Sequence, residues 1–233
     1  MAFDISVILS NWGLFARGLT NTILFSTIAI VGGVCVGAIV ALGRISRLTW
    51  LRLPASFFVE IVRNTPFLIQ VFIAYYVLPA FGVSLDATTA GIASLLIFAG
   101  AYFSESIRGA ILSVPKGQMD AARATGMSYL LAMRRVIFPQ MLGYLIPSIT
   151  NQSIGVVKES SVLSIITVPE VTMAAQIVLG VTFGAIEAYT AVALLYWIVT
   201  ATLAKGMRRL ERRTLAYHLP GSGPFAVEEG RDT

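Results

Sequence analysis

The sequence predicts an all-α membrane protein with five transmembrane helices and a basic helical segment on the cytoplasmic side, on three observations. The 233-residue chain is 56% hydrophobic and only 12% charged, about half the charge of an ordinary soluble domain. Apolar runs long enough to cross the ~30 Å hydrocarbon layer recur along it. Basic residues crowd alternate connections between those runs.

The first span is the clearest. Thr20 to Leu42 is a 23-residue stretch without a charge, long enough to cross as a helix. Before it lies no basic region with a small-residue cleavage site, and Asp4 sits where positive charge would be wanted, so the span is expected to be retained. Cys35, the single cysteine, cannot form an internal disulfide; among Gly32, Gly33 and Gly37 it reads as a small packing residue.

The second span runs from about Phe57 to Leu78, with Glu60 and Arg63 near its start, where Arg63 can snorkel to the interface. Pro66 removes a backbone donor and frees a carbonyl, predicting a bend that either shapes a cavity or is a packing kink. The remaining spans fall at about Thr88 to Leu112, Leu142 to Ile166 and Ala188 to Ala204, each ending near Gly, Pro or a basic cluster. Residues 1–217 form the membrane unit, and 218–233 read as a polar, disordered cytoplasmic tail containing Gly-Ser-Gly-Pro.

Charge sets the orientation. Arg44, Arg47 and Arg52 follow the first span, Lys116, Arg123, Arg134 and Arg135 the third, and Lys205, Arg208, Arg209, Arg212 and Arg213 the fifth. These connections should be cytoplasmic. Pro79 to Ala87 and Thr167 to Glu187 carry acids but neither Lys nor Arg, as expected of the outer face. Five spans then place the N-terminus outside and the C-terminus inside.

The net charge of +5 is split among loops rather than gathered on one surface, so it reflects topology and anionic lipid, not nucleic acid. Enzymatic signatures are missing: the sequence has no G-x-x-x-x-G-K-[ST] phosphate loop, no H-E-x-x-H zinc pair and no G-x-S-x-G elbow. His218, the lone histidine, has no partner for a metal or a catalytic role. No catalytic residue, resident metal or cofactor is therefore expected, and ATP and magnesium, if they drive the protein, belong to another subunit.

Between the third and fourth spans, Gln118 to Gln140 is amphipathic and basic. Ala121, Ala122, Ala124 and Gly126 leave a shallow surface while Arg123, Arg134 and Arg135 keep it out of hydrocarbon. Such a segment reads as a handle for a cytoplasmic partner. The order Asp120-Ala121-Ala122, three residues, Gly126, nine residues, Val136-Ile137-Phe138-Pro139 resembles the EAA loop of ATP-binding-cassette importer permeases. Asp120 stands for the family's Glu, Val136 for its Ile and Phe138 for its Leu.

Flanking motifs strengthen the resemblance: Glu60 to Gln70, Ala101-Tyr102-Phe103-Ser104-Glu105, Arg108 to Gln118 and Lys158-Glu159-Ser160-Ser161 are similar, in order, to motifs of polar amino-acid permeases with the MetI-like fold. It covers most of residues 10 to 215. The resemblance implies that residues 115–140 form the coupling segment, with Asp120, Ala121, Ala122, Gly126 and Pro139 contacting cytoplasmic ATP-binding subunits. It also implies an extracytoplasmic substrate-binding protein, a second permease copy or a similar permease, and the bacterial inner membrane.

Two acids stand out for a ligand site. Lys158-Glu159 lies about 15 residues into the fourth span, some 22 Å deep at ~1.5 Å per residue, where charges pair with each other, face a cavity, or both; a purely structural ion pair is the other reading. Glu105 lies near the midplane if the third span continues to Val114. The resemblance to A-Y-x-x-E and K-D-T-S carries Glu105, Lys158 and Glu159 into the amino-acid pocket, with Ser161 and Asn64 beside them. Here the common Asp has become Glu159 and the Thr has become Ser160, so pocket shape should differ from relatives.

A polar L-amino acid fits such a set, its carboxylate near Lys158 and its ammonium near the glutamates. Two ionised glutamates beside one lysine favour cationic or neutral side chains. The expected function is translocation by alternating access as an importer subunit. The alternative is an ATPase-independent secondary transporter or channel, which would usually show internal repeats and needs no docking segment.

Overall fold

The computed structural model describes residues 3–218, with side chains described through residue 212. Every regular element among them is helical. Helix α1 (Ile5–Ser10) is a short entry turn, capped by the Asp4 carboxylate on the Ser6 amide at 2.8 Å. Helix α2 (Trp12–Ile45) follows; at about 1.5 Å per residue its 34 residues run to roughly 51 Å, well beyond one hydrocarbon layer. The uncharged run that defines the first span is thus only its middle.

The second span is not one helix. Helix α3 (Thr49–Asn64) stops at Thr65-Pro66, and α4 (Phe67–Phe72), prolonged by a wide π-type turn over Ile73–Val77 and a 3-10 turn over Leu78–Phe81, leaves at 108° to it. The bend expected from Pro66 is therefore a full break, because proline supplies no amide to the ladder and forces Thr65 into an extended conformation. Gln70 covers the exposed chain end: its side-chain amide donates to the carbonyls of Val62 at 2.8 Å and Thr65 at 2.9 Å.

Helix α5 (Ala87–Ser113) is the continuous third span. Asp86 caps it through Thr89, whose hydroxyl and amide hold that carboxyl below the usual carboxylate range. Then come α6 (Lys116–Ala124), α7 (Tyr129–Ala132), a π-type turn over Met133–Ile137, and α8 (Phe138–Glu159), which tightens into a 3-10 segment over Ser160–Ile166. Helix α9 (Val171–Thr182) occupies most of the connection expected between the fourth and fifth spans. The apolar composition of Val171 to Thr182 is the reason: it packs inward rather than crossing as a loop. Helix α10 (Ala185–His218) ends the described chain, and the rest of the expected tail lies outside the described residues.

Three described helices, within α2, α5 and α10, are long and apolar enough to span, and the two bent pairs, α3 with α4 at 108° and α7–α8 with α9 at 45°, bring the total to as many as five. The central contact is α2 on α5. It is close because Gly33 and Gly37 face Ala99, Gly100 and Phe103: a Cβ at Gly33 would stand 2.7 Å from the Ala99 Cβ, and one at Gly37 2.8 Å from the Phe103 Cβ and 2.9 Å from the Ser104 amide nitrogen. Without a hydrophobic force between helices in lipid, such small-residue contact is what holds them. Cys35 lies on the opposite, exposed side of α2, so its expected packing role is not served within this chain.

Three larger apolar clusters surround this pair, besides a small one in which Val59 and Val62 of α3 pack on Ala101 of α5. One, around Phe25, Phe67, Leu95, Phe103 and Leu163, joins α2, α4, α5 and the 3-10 segment. A second gathers Phe15, Val171, Val178 and Ala188 where α2, α9 and α10 meet. The third, with Ala41, Ile107, Ile137 and Met141, joins the other ends of α2 and α5 to α8.

Gly37→Val should break the α2–α5 contact, since the new side chain meets backbone that cannot rotate away; overpacking of this kind costs about 1–3 kcal/mol. Gly13→Ala, with nothing within 4 Å of the added Cβ, should be tolerated. Thermal melting of the detergent-purified protein should therefore show a lower midpoint for Gly37→Val alone. Equal midpoints would refute the packing assignment.

Candidate functional site

Glu105 stands at a junction of three helices. Its carboxylate pairs with Arg44 of α2 and with Arg108 one turn along α5, through Oε1 to Nη2 at 2.5 Å and Oε2 to Nε at 3.2 Å. Arg63 of α3 stands 3.9 Å from the same carboxylate, its guanidinium 5.3 Å from the Tyr102 ring centroid. Three cations thus surround one anion. Helices α2 and α5 bring this about geometrically, since their glycine-lined contact lets Arg44 reach the face of α5 that carries Glu105.

Cavities open on either side of Arg63 and Tyr102. One, of about 510 Å³, is lined by Asn64, Pro66, Phe98 and Glu159 besides that pair; the break at Thr65-Pro66 supplies its wall. A second, of about 310 Å³, includes Glu105, Tyr144, Ser148 and Gln152. Its hydroxyls are ordered, with Ser148 donating to Ser106 at 2.7 Å. A third, of about 230 Å³, holds Arg44, Glu60 and Asn64. Arg63 and Tyr102 line all three.

The structure thus brings Glu105, Asn64 and Glu159 around a shared arginine and tyrosine. Lys158 and Ser161 stand apart from these cavities: Lys158 is exposed with no ion pair to Glu159 or any other acid among the described residues, and the Ser161 hydroxyl turns back to the Lys158 carbonyl at 2.8 Å. The helical register explains this, because successive residues of α8 point about 100° apart. Arg63 and Tyr102 were not singled out in the sequence as ligand residues, though both lie inside the motifs Arg63-Asn64-Thr65-Pro66 and Ala101 to Glu105. A guanidinium beside an aromatic face suits a planar carboxylate, and Glu159 with Asn64 offers oxygens to an ammonium.

The segment expected to meet cytoplasmic subunits opens as two helices, α6 and α7, not one. Helix α6 ends in a Schellman motif, with the Gly126 amide on the Arg123 carbonyl at 3.0 Å and the Met127 amide on the Ala122 carbonyl at 3.2 Å. Gly126 holds φ at +84°, where an L-residue with a Cβ is strained. Asp120, Ala121 and Gly126 are exposed, together with Tyr129 and Leu130; Ala122 is buried and Pro139 half-buried. Ala122 therefore seats the platform, and the exposed residues present it.

The chain matches, over residues 33–216, the family described as binding-protein-dependent transport system inner membrane component. It is 36% identical over 210 residues to a probable glutamine ABC transporter permease protein of Bacillus subtilis, covering 90% of this chain and 97% of that one. It is equally 36% identical, over 215 residues, to the glutamine transport system permease protein of Escherichia coli, covering 91% and 98%. A crystal structure of an amino acid ABC transporter with histidines superposes with a TM-score of 0.86 at 36% identity, covering 91% of this chain and all of that one. Inward-facing methionine ABC transporter structures share the fold, at a TM-score of 0.70 and 22% identity.

Removing the shared anion should be more damaging than removing any one of its cations. Glu105→Ala leaves Arg44 and Arg108 facing each other uncompensated; with side chains 15–31% exposed, the loss should be about 1–3 kcal/mol, below that of a fully buried pair. Thermal melting of the purified protein should place Glu105→Ala well below wild type and Glu105→Asp between them. A wild-type midpoint for Glu105→Ala would show that the cluster is not a structural node.

Proposed function

The chain belongs to the family of binding-protein-dependent transport system inner membrane components, and from that premise we propose that it is the membrane-embedded permease subunit of an ATP-binding-cassette importer for a polar L-amino acid. The observation that carries the reading is the convergence of three cavities on Arg63 and Tyr102, with Asn64, Glu105 and Glu159 around them.

Glu105 is engaged by arginines, so the local balance there is positive, not negative as a count of two glutamates and one lysine suggests. The α-carboxylate is then assigned to Arg63 and not to Lys158, while Glu159, free of any cation among the described residues, receives the ammonium or a cationic side chain. Aspartate and glutamate are disfavoured because their side-chain carboxylate would meet Glu159. Cationic and neutral side chains remain the favoured class.

Coupling runs through the α6–α7 platform to cytoplasmic ATP-binding subunits, which hold ATP and magnesium. An extracytoplasmic binding protein delivers substrate from the other face, with the N-terminus outside and the C-terminus inside, in a bacterial inner membrane. A second copy or a similar permease completes the pathway, which opens to each side in turn. The bend at Pro66 offers a place where helices could pivot for that exchange.

Two outcomes test the reading in proteoliposomes with the binding protein and ATP-binding subunits present. Glu159→Gln should reduce uptake of L-arginine about tenfold more than that of L-glutamine, since a desolvated counter-charge is lost; equal uptake of both by wild type and variant would remove the pocket assignment. Gly126→Val forces a branched residue into a left-handed turn at a cost of about 1–2 kcal/mol. It should lower transport and substrate-stimulated ATP hydrolysis together while the membrane helices stay folded. An undiminished ATPase response would count against the platform.

A further inference from the structure

One carboxylate belongs to none of these cavities. Glu170 is completely buried, at the joint between the 3-10 segment and α9. Its Oε1 accepts the Met173 amide at 2.7 Å, capping α9, and its Oε2 accepts the Tyr196 hydroxyl of α10 at 2.9 Å. No cation pairs with it among the described residues. A helix cap alone does not call for this arrangement, because an exposed Ser or Asp caps as well without loss of hydration. An ionisable group buried so completely without a paired cation calls for a reading beyond capping.

The partner points to that reading. Tyr196 Oη also packs 3.4 Å from Ser160 Oγ, whose own proton goes to the Val157 carbonyl at 2.7 Å; Ser160 is fully buried and adjoins Glu159, the acid that lines the larger cavity. Helix α2 grips the same joint from the other side: Asn21 donates to the Pro169 carbonyl at 2.7 Å, and the Val171 amide donates to Thr22 Oγ1 at 3.1 Å. Gly18 lets the two backbones approach, since a Cβ there would stand 2.8 Å from the Val171 Cα. The joint is thus held between α2 and α10, and the end of α8 that carries Glu159 packs against the α10 side.

We propose that Glu170 and Tyr196 are positioning residues, a latch between α9 and α10 that sets the placement of Glu159 in the cavity through Ser160. The latch rests on Glu159 being a pocket residue, and it acts on how firmly substrate is held while ATP is spent. Tyr196→Phe removes one donor and almost no volume. A loosened pocket lets the cycle run without delivering its cargo.

The test is the number of ATP molecules hydrolysed per amino acid taken up, measured with L-glutamine and L-arginine in proteoliposomes of the full complex with its binding protein. A simple loss of folded complex lowers uptake and hydrolysis in proportion and leaves this ratio alone. Tyr196→Phe should raise it about fivefold, the worth of one buried hydrogen bond. Glu170→Gln, which keeps the Met173 cap on its one oxygen and can donate its amide to Tyr196 Oη, should lie nearer wild type than Glu170→Ala. If Glu159→Gln raises the ratio and Tyr196→Phe does not, the latch is overturned and the pocket stands. If neither raises it, the pocket reading fails and the latch fails with it. Should Tyr196→Phe not assemble, Ser160→Ala, which removes the hydroxyl that Tyr196 packs against at the α8 end, is read by the same comparison.

Discussion

The fold depends on an anion shared by several cations. Glu105 accepts from Arg44 and Arg108, with Arg63 close by, so α2, α3 and α5 meet at one carboxylate. None of these arginines could sit comfortably beside lipid alone, and the acid could not either. Together they let polar groups line a cavity between apolar helices. The cluster itself sets three positive charges against one negative.

That junction exists only because α2 and α5 approach so closely. Glycines at 33 and 37 on one helix and 100 on the other remove the side chains that would hold them apart, so van der Waals contact and lipid exclusion replace the hydrophobic drive of a soluble core. Around this rigid pair sit the interrupted elements: α3 with α4, and α8 with α9. Rigid pieces support the joints, and the joints carry the polar groups.

Much of this was legible in the sequence, and the limits follow physical lines. Apolar length identified α2, α5 and α10, because entry into hydrocarbon is governed mainly by composition. The Pro66 break was visible as a bend but not as a 108° turn, since proline dictates the loss of a hydrogen bond and only neighbouring helices dictate the angle. Helix α9 was read as a connection because periodicity cannot separate an apolar buried helix from a loop bounded by acids. At the site, Glu105 at i,i+3 from Arg108 was a local signal, whereas Arg44 lies 61 residues away and reads only as an inward positive charge. Lys158 next to Glu159 was the opposite case: neighbours in sequence that helical geometry turns to different sides. The Glu170–Tyr196 contact has no short-range signature at all.

The hydrogen bonds of Gln70 to the carbonyls of Val62 and Thr65 bear on water. A chain broken inside a membrane usually needs solvent to satisfy the carbonyls it frees, which ties its integrity to hydration. Here one carboxamide supplies both donors from within the same segment. The cavity beside Pro66 can therefore fill or dry without unravelling its own wall, and wetting becomes a variable of transport instead of a condition of folding.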